Sequence, residues 1–290
     1  MFAGCSRGGV RPDANGEPPA EWRPRGGFGP AMKEYRYLGP DGEGIAALPE
    51  GVGAALGSEY CVHLLPTAAR MAEAATEAAA RRSPLLLLTP YFRDAELKRA
   101  LPLFRAIPPG ADVDVAVNDW GLLQALHGLF PRMRLSIGRL LSGQKRCPRI
   151  GVSPRLTDAG RDWHGEGIFS SHSARKFLEE ELGVTGYHLD ALPWSRRVHP
   201  GTEGAALFVH HPYAIVTVSD ACPWIGGKSS AELPSCPRPC GEGHLVLRES
   251  SMGEDLLQKG KARFVAIGSG EPAPGESWAA VARVQHPGPP

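Results

Sequence analysis

Three cysteines in the last third of the chain, Cys222, Cys236 and Cys240, stand at the spacing Cys222-x13-Cys236-x3-Cys240. Thiolates crowded in this way are ligands for soft metals. Pro237 and Pro239 forbid a regular helix inside the C-x3-C pair, so a fixed loop can turn both sulfurs toward one centre. Cys222 follows the strand-like run Ile215 to Val218 and is therefore carried on rigid backbone. Three thiolates leave one ligand to find. Cys61 and Cys147 are the candidates in the core, and Cys5 lies in the N-terminal stretch. A zinc site usually presents two tight pairs, and here there is one loose pair. Six cysteines in 290 residues are too sparse for a disulfide scaffold. An iron–sulfur cluster accepts irregular spacing and all-thiolate ligation. The C-x3-C-x2-C spacing of radical enzymes is absent, because position 243 is Gly. The spacing favours a cluster and leaves zinc or merely structural cysteines open.

Other groups have two readings each. Arg139, Lys145, Arg146 and Arg149 form a dense basic group with no acid beside it in the chain. They read as a site for a carboxylate, a phosphate or an RNA backbone, or else as a solvated loop. Asn118 and Asp119 cap a helix or line a pocket. His210 and His211 alternate faces on one strand, so at most one of them enters a site; a hydrogen-bonded core or edge histidine is the plainer reading, also for His172 and His188. Asp190, at a strand end, is a candidate acid/base. No Gly-x-Ser-x-Gly or His-Glu-x-x-His motif occurs. A Cys147–His nucleophile pair would need a geometry that the sequence does not supply.

These residues sit among alternating strand-like and helix-like segments. Helices are expected at Thr67 to Arg82, Asp94 to Arg105 (interrupted by Pro102), Trp120 to Leu129 and Ala174 to Leu182. Strands are expected at Leu85 to Leu88, Val113 to Val117, Leu135 to Ile137, Tyr187 to Leu192, Leu207 to His210, Ile215 to Val218, Leu245 to Leu247 and Phe264 to Ile267. That order predicts an α/β fold, with chemistry at the C-terminal ends of its strands. The β-rich stretch 207–267 argues against a strictly regular repeat. Residues 1–31 are rich in Gly, Pro and Arg and read as a disordered tail, with Met32 a sensible alternative start. Residues 269–290 read as a second Gly/Pro-rich tail with a short helix near Trp278 to Val284. One domain, 32–268, remains between them.

Lys+Arg 32 against Asp+Glu 31 gives a net charge of +1, so no bulk affinity for nucleic acid or anionic membrane is expected. No apolar run approaches the roughly 20 residues of a spanning helix. A cytoplasmic protein is the expectation.

The segments Val117-Asn118-Asp119-Trp120-Gly121, Ile137-Gly138-Arg139-Leu140-Leu141 and Gln144-Lys145-Arg146-Cys147-Pro148-Arg149 resemble the peptidase U32 family, whose members often read NDxG and then GRLL…KRDPR. His211-Pro212-Tyr213-Ala214, Val216-Thr217 and Cys222 resemble the run that leads into that family's cysteine cluster. The resemblance spans roughly residues 55–245. It is nearest to the paired iron–sulfur proteins of oxygen-independent ubiquinone hydroxylation, in which an early cysteine follows a Leu-Gly motif, as Cys61 follows Leu56-Gly57-Ser58-Glu59-Tyr60.

The resemblance implies a (β/α) barrel with a cysteine-rich loop near its C-terminal part. It implies a [4Fe–4S] cluster on Cys61, Cys222, Cys236 and Cys240, a small aromatic or prenylated substrate, and a partner that is a second U32-like protein or another protein of the pathway. Asn118, Asp119, Arg139, Lys145, Arg146 and Arg149 would then meet an anionic substrate or donor. Cys147 stands where relatives often have Asp and stays a rival ligand. A U32-type peptidase or collagenase-like hydrolase, and a non-enzymatic module stapled by metal, are the alternatives.

Overall fold

The structure, a computed structural model, describes residues 32–42, 44–195, 205–233, 235–267 and 280–286. Its strands are β1 (Met32–Tyr37), β2 (Gly53–Gly57), β3 (Leu85–Leu88), β4 (Val113–Val117), β5 (Arg134–Ile137), β6 (Val184–Asp190), β7 (Ala206–His211), β8 (Tyr213–Val218), β9 (Ala221–Cys222), β10 (Lys228–Ser229), β11 (Leu245–Leu247), β12 (Leu256–Lys259), β13 (Ala262–Ala266) and β14 (Ala280–Gln285). Its α-helices are α1 (Ala68–Ala80), α2 (Asp94–Ala100), α3 (Trp120–Leu129), α4 (Arg149–Val152), α5 (Asp158–Gly165) and α6 (His172–Lys176).

Eight strands close a parallel barrel in the order β1-β14-β7-β6-β5-β4-β3-β2. The strand β3 shows why parallel strands read as unbroken apolar runs. Leu85 and Leu87 face the surrounding helices, while Leu86 and Leu88 pack inside with Tyr35, Tyr37, Ala55, Ala116, Phe208 and Val284. Local signals set the helices. Thr67 Oγ1 accepts the Arg70 N–H and starts α1, and Asp119 Oδ1 accepts the Leu122 N–H at 2.8 Å and starts α3. Pro102 ends α2 as expected, and the chain continues as a 3-10 turn over Leu101–Ala106. The helix expected over Ala174 to Leu182 is shorter: α6 passes into a π turn at Phe177–Glu181.

The expected tail 1–31 lies outside the described residues. The second tail needs correction. Within 269–290, Ala280–Gln285 is the strand β14, and it joins β1 to β7 to close the barrel. A strand, not the short helix expected near Trp278 to Val284, forms over Ala280–Gln285, where the run Ala279-Ala280-Val281-Ala282 has helix propensity of its own. Parallel pairing on both sides overrides that propensity, with Ala282 and Val284 pointing inward. The barrel domain therefore runs past residue 268 to at least His286.

Between β7 and β14 there is no crossover helix among the described residues. Instead, β8 pairs antiparallel with β13 in a four-stranded sheet of order β11-β12-β13-β8, and β9 and β10 form a small ribbon. This insert leaves the barrel at the C-terminal end of β7, and Cys222, Cys236 and Cys240 all ride on it.

Gly57 closes β2 with φ +97°, and a Cβ there would stand 2.2 Å from the Leu88 carbonyl oxygen. Gly57→Ala should therefore lower unfolding free energy by about 2–3 kcal/mol, through strain and clash together. Chemical denaturation of both proteins measures it; an unchanged midpoint would mean that the β2–β3 edge relaxes freely.

Candidate functional site

Cys61, Cys222, Cys236 and Cys240 border one pocket at the C-terminal mouth of the barrel. Cys61 comes from the loop that follows β2, Cys222 from the end of β9, and Cys240 from the 3-10 turn Pro239–Glu242. All four are free thiols, with Cys222 and Cys240 buried and Cys61 and Cys236 half-buried. Arg238 sits between the two prolines with φ +57° and ties the insert to the barrel. Its Nε donates to the His63 carbonyl at 2.9 Å, and its Nη1 meets Asp41 Oδ2 at 2.7 Å. The loop that carries Cys236 and Cys240 is thus clamped over the loop that carries Cys61. Gly260, at φ +55°, lets the backbone pass close beside them: a Cβ there would stand 2.8 Å from the Tyr60 ring and 3.5 Å from Cys240 Sγ.

Burial pushes the Cys61 thiol up to about 11, against the pull of the His63 backbone N–H and the Lys261 charge. Burial also raises Cys222 and Cys240, and neighbouring thiols add to the effect in both. Such a group ionises readily only with a cation in its midst. Among the described residues, no group of three or more His, Cys, Asp or Glu side chains is drawn together as for a metal ion. The donor set that borders the pocket is nonetheless all sulfur, which is the ligand chemistry of a soft metal. Cys147 is not among the residues that border the pocket; its sulfur accepts a hydrogen bond from Arg149 Nε at 3.4 Å.

Burial divides the basic group in two. Arg139 is 0% exposed. Its Nε donates to Glu59 Oε2 at 2.9 Å, and its Nη2 pairs with the same carboxylate. Its Nη1 donates to Asp190 Oδ1 at 2.7 Å and to the Tyr213 carbonyl at 3.0 Å. Arg146 is buried too, pairs with Asp190 and donates to Ser142 Oγ at 2.6 Å. Lys145 and Arg149 are exposed. The acids missing from the local sequence arrive from the ends of β2 and β6. Burial alone would lower the Arg139 pKa, but Glu59 and Asp190 outweigh it and hold the guanidinium charged. Asn118 and Asp119 are structural fasteners. Asn118 Nδ2 donates to the Thr89 carbonyl and its Oδ1 accepts the Leu140 N–H, both at 2.8 Å, while Asp119 caps α3.

Beside this ion network runs a chain of histidines that sequence reading did not assemble. Ser136 Oγ and His188 Nε2 are 2.9 Å apart, His188 Nδ1 and His210 Nε2 2.8 Å, and His210 Nδ1 and His286 Nε2 2.9 Å. His188 also stacks on Phe208 with ring centroids 4.4 Å apart. All three rings are buried. Burial, followed by the Arg139 charge, holds each of them well below the usual histidine range. His188 and His210 were placed on strands by the sequence. His286 lies in the expected tail, and nothing local marks it.

No protein-family model matches the chain, and no curated protein matches it. Among solved structures, that of the U32 peptidase Mk0906 is similar at 12% identity and a TM-score of 0.44, over 93% of this chain and 99% of that one. A likeness that faint says nothing of activity.

Two outcomes follow from this interior. Arg139→Met strands two buried carboxylates and should cost about 3–5 kcal/mol of stability, seen as a lowered denaturation midpoint. In the unfolded chain a histidine takes up a proton near pH 6.5, whereas in the barrel it does so only well below that. Between those two values the unfolded state binds more protons, so stability falls as pH drops below about 6.5, by roughly 1.4 kcal/mol per pH unit for each such histidine. Denaturant titrations at neutral and mildly acidic pH should show that loss, and His210→Gln should flatten it. Equal slopes in both proteins would remove the histidine chain as its origin.

Proposed function

We propose that the protein holds a [4Fe–4S] cluster on Cys61, Cys222, Cys236 and Cys240 and serves oxygen-independent hydroxylation, or a related modification, of a small aromatic or prenylated substrate. The observation that carries this reading is the meeting of these four thiols, from sequence stretches up to 179 positions apart by their numbering, around one pocket at the C-terminal mouth of the barrel. Active sites of parallel barrels lie at that end. The Leu-Gly-Ser-Glu-Tyr-Cys run and the order of the U32-like segments support the choice of Cys61 over Cys147, and so does the position of Cys147 outside the pocket. All-thiolate ligation at irregular spacing is what such a cluster accepts, whereas zinc usually takes two tight pairs.

When bound, such a cluster supplies one-electron transfer, because four protein thiolates leave no iron open to substrate. The chain's own residues hold and shield it. Arg238 clamps the two cysteine loops together, Tyr60 and Phe264 pack edge to face behind them at 5.9 Å, and Gly260 keeps the space beside Cys240 clear. The partner is proposed to be a second U32-like protein or another protein of the same pathway, in the cytoplasm, where thiols stay reduced. No described helix is long and apolar enough to cross a membrane. The peptidase alternative finds less support: Cys147 has Arg149 beside it rather than a histidine base.

Anaerobic purification tests the reading. A brown protein with about four irons and matching labile sulfide per chain is expected. Substituting Ser for Cys61, Cys222, Cys236 or Cys240 should strip most of the iron, while Cys147→Ser should keep it. A colourless chain with one zinc, or full iron in the Cys61→Ser variant, would sink the assignment.

A further inference from the structure

Lys261 borders the same pocket and is 2% exposed. Its Nζ lies 3.2 Å from Tyr91 Oη and 3.2 Å from Ser230 Oγ, and 4.7 Å from the centroid of the Tyr91 ring. These partners are neutral, and among the described residues no carboxylate pairs with it. Glu96 is nearest in the chain of bonds, accepting from Ser230 Oγ at 3.0 Å, one hydroxyl removed. The other charges around the pocket are accounted for differently. Arg238 is paired with Asp41, and Lys259 is half-buried, with its charge felt by Cys240.

An ammonium sealed from water without a counter-anion is a costly arrangement. It has three N–H donors, and the two hydroxyls take two. Lys261 lines the thiol pocket, and Cys61 and Cys222 both feel its charge. We propose that Lys261 is the built-in counter-cation of an anionic thiolate centre in this pocket and sets its reduction potential. The proposal rests on the cluster reading above. A cubane held by four thiolates carries net negative charge. One electron from a low-potential one-electron donor adds one more negative charge, with no bond made or broken and no proton moved. A fixed cation in a dry site stabilises the more negative state and so raises the potential.

The test is a potentiometric titration, under anaerobic conditions, of the full-length iron-loaded chain and three variants, followed by visible absorbance with dithionite as the electron donor. Lys261→Gln should favour the oxidised form about tenfold, which is ~59 mV lower for one electron. Lys261→Arg should return most of that shift. Glu96→Gln removes a negative charge behind Ser230 and should move the potential upward, by less. Because the two neutralising variants have opposite signs, the inference remains testable if Lys261→Gln fails to fold. A chain that takes up no iron overturns the cluster reading and this inference with it. An iron-loaded Lys261→Gln protein at the unaltered potential, or a Glu96→Gln shift in the downward direction, overturns the inference alone.

Discussion

Arg139 reaches into the centre of the barrel mouth, and three strand ends converge on it. Glu59 comes from the turn after β2 and Asp190 from the end of β6, while Arg139 itself follows β5. Its third partner, the Tyr213 carbonyl, belongs to the first residue of β8, where the antiparallel insert begins. One guanidinium therefore fixes the barrel's upper rim and the root of the segment that brings in three cysteines. Arg146 completes the set by meeting the second oxygen of Asp190, so two cations face two carboxylates and the buried charges cancel. Without that balance, neither the rim nor the insert would have a defined position from which to build a pocket.

The consequence is a barrel whose axis is filled rather than open. The ion network and the chain Ser136–His188–His210–His286 both occupy its interior, with His210 in register with Asp190. A small molecule entering from above meets paired charges, not a cavity. The cysteine-lined pocket lies outward, at the rim, where the β2 loop and the insert face each other. This explains why β7 leads into antiparallel strands instead of a helix. A helix would pack on the outside of the barrel, whereas β8 and β13 stand over the mouth and can carry loops across it.

How much of this is legible in the sequence depends on whether the determinant is local. The caps Thr67 and Asp119, the break at Pro102 and the unbroken run Leu85–Leu88 are local, and each was readable. The alternation in β1, with Tyr35 and Tyr37 inward and Glu34 and Arg36 outward, was equally local but lay next to a Gly/Pro-rich stretch and went unread. The strand β14 was not readable, since its Ala-rich run becomes a strand only through β1 and β7, which come from far away in the chain. The pairing of the basic group was hidden in the same way. Arg139 looks unpaired because its carboxylates are 80 and 51 residues distant. Cys61 was chosen through its Leu-Gly context, not through spacing, and Lys261 in Lys259-Gly260-Lys261 carries no signal that separates it from a surface lysine.

The two electrostatic levels of the mouth bear on what the pocket is for. In the lower level every buried charge has its opposite, so the site gains nothing from an added ion. In the upper level Lys261 is sealed among hydroxyls, and the thiols beside it are held protonated by burial. A buried cation and reluctant thiols relieve each other only if something in the pocket makes the sulfurs anionic. A soft metal centre does so directly, since coordination deprotonates its thiols. The two levels thus differ in how their charges are met: Arg139 touches its carboxylates directly, whereas Lys261 reaches Glu96 only through the Ser230 hydroxyl.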